Sequence, residues 1–159
     1  MLDIRKIFEL SDVIGYHSGQ GGEMMNIPKI TTFLMFNGEA EEAINLYIDA
    51  FEDAEILNIV RYGEDDEEPT GTVQHAIFRL KDQIFMAIDN VNNVDIEMNP
   101  AMSLYVTVDS AMEMEQLFSK LKREGAILMP KTEMPPFREF AWIQDKFGVN
   151  FQLALPEQQ

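Results

Sequence analysis

From Met25 onward, the spacing of apolar residues switches repeatedly between two periods. Ile30–Phe36 is rich in β-branched and aromatic residues, which suit a pleated, half-buried surface, and it predicts a strand. Asn37-Gly38 turns the chain. Ala40, Ala43, Ile44, Tyr47 and Phe51 then recur at helical spacing, with Glu39, Glu41, Glu42 and Asn45 on the other side. Ala54–Tyr62 predicts a second strand. An acidic loop, Gly63–Gly71, follows it. Thr72–Leu80 and Gln83–Asp89 predict a hairpin turning at Lys81-Asp82.

The polar stretch Asn90–Asn99 ends at Pro100 and predicts a linker. The same order of elements then returns. Met102–Val108 predicts a strand. Ser110 and Glu113 have capping-box spacing, in which side chains satisfy free backbone donors at a helix start. Met114, Leu117, Phe118 and Leu121 form the apolar stripe, and Gly125 is expected to close the helix. Ala126–Met129, Phe140–Gln144 and Asn150–Leu155 predict three more strands, with Pro130, Pro135 and Pro136 marking a loop after the first. Two sequential βαβββ units, about 28–90 and 101–155, make this an α+β chain. One helix covers only one face of a four-stranded sheet. The expected solution is a curved, barrel-like mixed sheet with helices outside and a cup inside.

Composition narrows the setting. The formal charge of −16 disfavours nucleic acid and anionic membrane surfaces, and the runs Glu39–Glu42, Glu64–Glu68 and Glu113–Glu115 read as solvated faces. There is no cysteine, so disulfides and thiolate metal sites are excluded. No apolar run reaches the ~20 residues a membrane helix needs, and no signal-peptide segment opens the chain, so a cytoplasmic location is expected. Residues 1–25 read as an N-terminal extension to a single domain spanning 26–159. Leu2, Ile4, Ile7, Phe8, Leu10, Val13 and Ile14 could form an amphipathic helix there, before Ser18-Gly19-Gln20-Gly21-Gly22 breaks it. Two readings stand open. Gln20-Gly21-Gly22-Glu23 can be encoded by a purine-rich, ribosome-binding type of sequence directly before Met24-Met25, which would make the first residues a translated leader. Alternatively, the stripe is an arm that packs on a neighbouring subunit.

Three segments carry a family resemblance. Thr32-Phe33-Leu34-Met35-Phe36-Asn37-Gly38 leads into Ala40-Glu41-Glu42-Ala43-Ile44-Asn45-Leu46-Tyr47. The others are Gly71-Thr72-Val73-Gln74-His75-Ala76 and Trp142-Ile143-Gln144-Asp145-Lys146-Phe147-Gly148-Val149-Asn150-Phe151-Gln152-Leu153. Together they resemble the PhnB-like branch of the vicinal oxygen chelate superfamily, over about residues 28–155. That branch is also labelled demethylubiquinone methyltransferase-like. Its relatives include glyoxalases, ring-cleaving dioxygenases, fosfomycin-modifying enzymes and bleomycin-binding proteins. No glycine-rich loop opens a helix after the first strand, so nothing in the residues supports methyl transfer.

The resemblance implies a metal site with one ligand from each of four strands, usually His or Glu. The implied positions are Thr32, Ser103, Gln152 and one residue between Met86 and Asp89. Thr, Ser and Gln are neutral oxygen donors, so no divalent metal and no other cofactor is expected. Ligand positions point into the cup. By alternation, Thr32, Leu34 and Phe36 are expected to face inward with Ser103, Tyr105, Thr107 and Gln152. Phe33, Met35, Leu104, Val106, Val108, Phe151, Leu153 and Leu155 are expected under the helices. His75, Asp89 and Trp142 complete the candidate pocket: an imidazole suited to proton transfer, a carboxylate at a strand end, and a flat ring suited to stacking. The bland alternatives are a hydrogen-bonded structural histidine, a solvated carboxylate and a core tryptophan, with the cup packed shut. The expected function is small-molecule binding in the cup without the metal quartet. The alternative is a metal-assisted lyase, isomerase or dioxygenase-type enzyme, for which no catalytic residue is assigned. The resemblance, the apolar content and exposed strand edges lead to the expectation of a homodimer.

Overall fold

The computed structural model of the chain describes residues 27–157. Both readings of the N-terminal extension fall on residues 1–25, outside the described residues. The chain divides into two compact units. The first comprises the described residues up to Ile48 together with Asp53–Asp95, and the second comprises Asp49–Glu52 and the described residues from Ile96 onward.

The first unit contains strand β1 (Thr32–Phe36), most of helix α1 (Ala40–Ala50), and strands β2 (Ala54–Arg61), β3 (Val73–Leu80) and β4 (Gln83–Asp89). Its sheet has the order β1-β4-β3-β2, with β1 parallel to β4 and the other pairs antiparallel. The second unit contains β5 (Leu104–Thr107), α2 (Ala111–Leu121), β6 (Ala126–Met134), β7 (Phe137–Gln144) and β8 (Asn150–Pro156). Its sheet repeats the pattern as β5-β8-β7-β6, with β5 parallel to β8. The fold is therefore α+β, made of two βαβββ units. Among the described residues, no helix is long and apolar enough to cross a membrane.

In the first unit, α1 buries Ala40, Ala43, Ile44 and Tyr47 completely. The Tyr47 ring stacks on Phe78 at 6.3 Å, and Phe78 stacks on Phe85 at 5.3 Å. The covered face of this sheet is thus the one carrying Phe78 and Phe85. In the second unit, α2 opens on the expected cap: the Ser110 hydroxyl accepts from Glu113 N at 3.1 Å, and the Glu113 carboxylate accepts from Asp109 N at 2.8 Å. Its stripe of Met114, Leu117, Phe118 and Leu121 is buried, as are Ala141, Ile143, Phe151 and Leu153 on the sheet. Within this unit the Phe51 ring also lies 6.3 Å from Phe151.

Two local expectations are corrected. The β6–β7 hairpin is longer than the prolines suggested: β6 runs through Pro130 to Met134, and β7 begins at Phe137 after the cis Pro135-Pro136 bond. Pro130 is tolerated because β6 is an edge strand whose pairing with β7 is interrupted by register shifts. Gly125 does not supply the left-handed residue after α2; Glu124 does, at φ +56°. Glycine is required at 125 by close approach instead. A Cβ there would lie 2.3 Å from the Gln144 carbonyl oxygen, and 3.0 Å from the Asp145 Cα and carbonyl carbon.

Candidate functional site

The face of the second sheet turned away from Phe151 and Leu153 carries a polar and aromatic row. Tyr105 pairs with Gln152, and Gln152 pairs with Trp142, so the three side chains emerge side by side on adjacent strands. With strands about 4.8 Å apart, Tyr105 and Trp142 are anchored roughly 10 Å from each other with an amide between them. The Gln152 Nε2 donates to the Ser103 hydroxyl at 2.7 Å, which fixes the amide's orientation. The Trp142 Nε1–H donates to Asn150 Oδ1 at 3.2 Å, and Asn150 Nδ2 donates to the Gly148 carbonyl at 3.0 Å. Tyr105 leans toward Phe140, with ring centroids 6.4 Å apart, and remains 53% exposed. An indole bonded at its nitrogen, a half-exposed tyrosine ring and an oriented amide make a surface on which a flat, uncharged molecule can stack and take a hydrogen bond.

Four of the nine expected pocket residues, Ser103, Tyr105, Trp142 and Gln152, thus share one face of the second unit. Sequence reasoning missed Asn150, which is buried and orients the tryptophan. The signal was available: Asn150 lies in the same alternation as Gln152.

The first unit is arranged otherwise. Thr32, Leu34 and Phe36 pair with Phe85, Ala87 and Asp89, so they lie on the face that α1 covers. The expected phase of β1 is reversed. Phe33 and Met35 occupy the opposite face, in register with Met86 and Ile88. The expectation took Thr32 as an inward position implied by the resemblance, and one residue of error there moves every side chain of the strand to the other face.

Asp89 is not a solvated carboxylate. It is buried, and its two oxygens accept from the Ala40 N–H at 2.9 Å and the Val73 N–H at 2.7 Å. It thereby caps the start of α1 and ties it to the start of β3.

His75 lies on the face opposite Phe78, in register with Val60 on β2 and beside Ile88 on β4. It is completely buried, and neither Nδ1 nor Nε2 has a hydrogen-bond partner. Desolvation holds its pKa below the ordinary imidazole value, so the ring stays neutral.

The donor set does not fit the metal site that the fold implies. Thr32 lies on the helix-covered face, Ser103 and Gln152 are bonded to each other, and both carboxylate oxygens of Asp89 are occupied by backbone donors. Among the described residues, no group of three or more His, Cys, Asp or Glu side chains could hold a metal ion.

Comparisons with known proteins agree with this architecture. A family model described as 3-demethylubiquinone-9 3-methyltransferase matches residues 28–154. A Bacillus cereus structure carrying the 3-demethylubiquinone-9 3-methyltransferase and PhnB labels is 49% identical, covers 80% of this chain and 99% of its own, and superposes with a TM-score of 0.77. A Pseudomonas aeruginosa protein is 27% identical, with 83% of this chain and 100% of its own covered and a TM-score of 0.72. A glyoxylase/bleomycin resistance protein/dioxygenase domain from Frankia is 14% identical, with 84% and 95% covered and a TM-score of 0.60, which speaks for the fold alone. No curated protein sequence matches the chain.

Proposed function

The chain belongs to the 3-demethylubiquinone-9 3-methyltransferase family, the PhnB-like branch of the glyoxalase/bleomycin resistance/dioxygenase superfamily, and we propose that it is a small-molecule-binding protein. The observation that carries this reading is the row Tyr105–Gln152–Trp142, presented on the sheet face that α2 leaves free, with its amide held by Ser103. The ligand is a small, flat, aromatic molecule that stacks on the rings and bonds to the amide. Binding needs no metal ion and no cofactor, because the neutral donors of this face recognise hydrogen-bonding groups rather than cations. The protein works in the cytoplasm as a homodimer, and light scattering at micromolar concentration tests the assembly.

Trp142 is the one tryptophan of the chain, so its fluorescence reports directly on the site. Titration with a panel of uncharged aromatic molecules is expected to produce saturable quenching and a rise in melting temperature. Trp142→Ala should weaken the same ligand roughly twofold to tenfold in a thermal-shift titration, the value of one aromatic contact. If no molecule of the panel quenches Trp142 saturably, or Trp142→Ala leaves affinity unchanged, the reading is wrong.

A further inference from the structure

Asn37-Gly38 is the one Asn-Gly pair of the chain, and it forms the exposed turn between β1 and α1. An asparagine side chain can be attacked by the backbone nitrogen of the residue after it, and the attack is least hindered where that residue has no Cβ. Gly38 stands at φ +88° with open space where a Cβ would lie, and its N–H makes no hydrogen bond among the described residues. The Asn37 amide is oriented: its Oδ1 accepts from Asn90 Nδ2 at 2.9 Å, and its Nδ2 makes no bond among the described residues. Asn90 is itself held in place. Its Nδ2 also donates to the Val94 carbonyl at 2.7 Å, its Oδ1 accepts from Val94 N at 3.1 Å, and its own N–H donates to the Phe36 carbonyl at 2.6 Å. Other asparagines of the first unit lack this combination. The backbone nitrogens after Asn90 and Asn93 are bonded to the Asp89 carbonyl and to Asn90 Oδ1, and Asn45 and Asn58 lie inside α1 and β2.

We propose that Asn37 is a self-modification site, at which the Gly38 nitrogen closes on the side-chain carbonyl carbon and water opens the ring to aspartate or isoaspartate. The reaction needs no reagent but water. The Gly38 N–H gives its proton to hydroxide, and the nitrogen bonds to Asn37 Cγ. The Cγ–Nδ2 bond then breaks, and Nδ2 leaves as ammonia with a proton taken from water, which restores the hydroxide. The negative charge that develops on Oδ1 during the attack falls where Asn90 already donates, so Asn90 stabilises it as an oxyanion donor does. Water next adds to either carbonyl of the succinimide ring. Opening at Cγ leaves an aspartate at position 37. Opening at the main-chain carbonyl gives an isoaspartate, whose chain runs through Cγ and is one methylene longer. That methylene enters between buried Phe36 and Ala40, whose N–H donates to Asp89 at 2.9 Å, so the change reaches the junction that ties β1 to α1.

The test ages the full folded chain at pH 8 and 37 °C and follows it by peptide mass spectrometry. The peptide carrying Asn37 should first lose the mass of ammonia and then gain the mass of water, ahead of every other asparagine peptide. Enzymatic methylation of isoaspartyl carboxyls, with labelled S-adenosylmethionine as donor, should mark the same peptide. Asn37→Gln cannot close a five-membered ring and should abolish both signals. Asn90→Ala should slow the reaction roughly tenfold, the value of one hydrogen bond to a developing charge. The measurement on the parent chain stands whether or not Asn90→Ala folds. The aged, isoaspartate-bearing fraction should unfold at a lower urea concentration than fresh protein. Four results would each overturn the proposal: an unchanged Asn37 when a synthetic peptide of residues 34–41 has fully converted, earlier conversion of another asparagine, isoaspartyl labelling that persists in Asn37→Gln, or a folded Asn90→Ala that reacts as fast as the parent.

Discussion

Asp89 is the residue whose removal should cost the first unit most. Its side chain is buried, and it accepts two backbone N–H groups from different elements, Ala40 at the start of α1 and Val73 at the start of β3. Each is a hydrogen bond to an ionised acceptor, worth about 1.5–3 kcal/mol. One of them also satisfies a free donor at a helix N-terminus, where negative charge is favoured. Asp89→Ala removes both acceptors and leaves two donors facing the cavity of the lost carboxylate. The expected loss is about 3–5 kcal/mol, a large fraction of the ~5–15 kcal/mol that holds a typical domain folded. Asp89→Asn keeps one oxygen but turns an amide nitrogen toward the second donor, so it should lose about half as much. The assay is urea unfolding followed by circular dichroism, with the slope checked for constancy so that the midpoint shift reports stability. A loss below about 1 kcal/mol for Asp89→Ala would refute the reasoning, since two unsatisfied buried donors cannot be that cheap. A loss for Asp89→Asn equal to that for Asp89→Ala would show that charge, rather than the number of acceptors, decides the effect.

Two further outcomes follow from single residues. His75 has its folded-state pKa lowered by burial, so below the unfolded value of about 6.5 the unfolded chain takes up the proton first. Stability from this group is complete above that pH and is lost as pH falls toward the folded pKa; unfolding midpoints of parent and His75→Leu at pH 8, 7, 6 and 5 should therefore diverge only below about 6.5, with the parent falling more steeply. Gly125→Ala should destabilise by about 1–3 kcal/mol, because the new Cβ meets the backbone of Gln144 and Asp145 rather than a movable side chain, and an unchanged melting temperature would contradict the close approach.

The parts of this fold that were legible in the sequence are those whose signal is local. The α2 cap at Ser110 and Glu113 and its buried stripe were readable, because each depends on residues within one or two turns. The phase of β8 was readable because Phe151 and Leu153 alternate with Gln152. Three features were not. The phase of β1 rested on Thr32 as an implied inward position, and a strand's period of two amplifies a one-residue error into a full inversion. The need for glycine at 125 lies in a contact with a strand about twenty residues away, which no local pattern encodes. The role of Asp89 depends on two backbone donors, one 49 positions away and one 16. A carboxylate ending a strand carries the same signature in sequence whether it is solvated or buried against such donors.

The two units solve the same structural problem with different residues, and that difference bears on where a ligand can be held. Each must cap the helix that follows its first strand. In the first unit, the cap comes from the sheet: Asp89 at the end of β4 reaches Ala40. In the second, it comes from the loop itself, through Ser110 and Glu113, and the matching end of β8 is the apolar stretch Leu153-Ala154-Leu155. Local capping frees the second sheet from spending a polar side chain on its own helix. On the face away from Phe151 and Leu153, Gln152 is therefore bonded to Ser103, Trp142 to Asn150, and the Tyr105 ring leans toward Phe140. The first sheet commits its carboxylate to structure, and its opposite face buries Val73, His75, Ile77 and Ile88. Recognition by oriented polar groups is consequently expected of the second unit. Exchanging the two capping devices, with a carboxylate placed at the end of β8 and Ser110 removed, would leave the polar row intact only if the row does not depend on how its helix is capped.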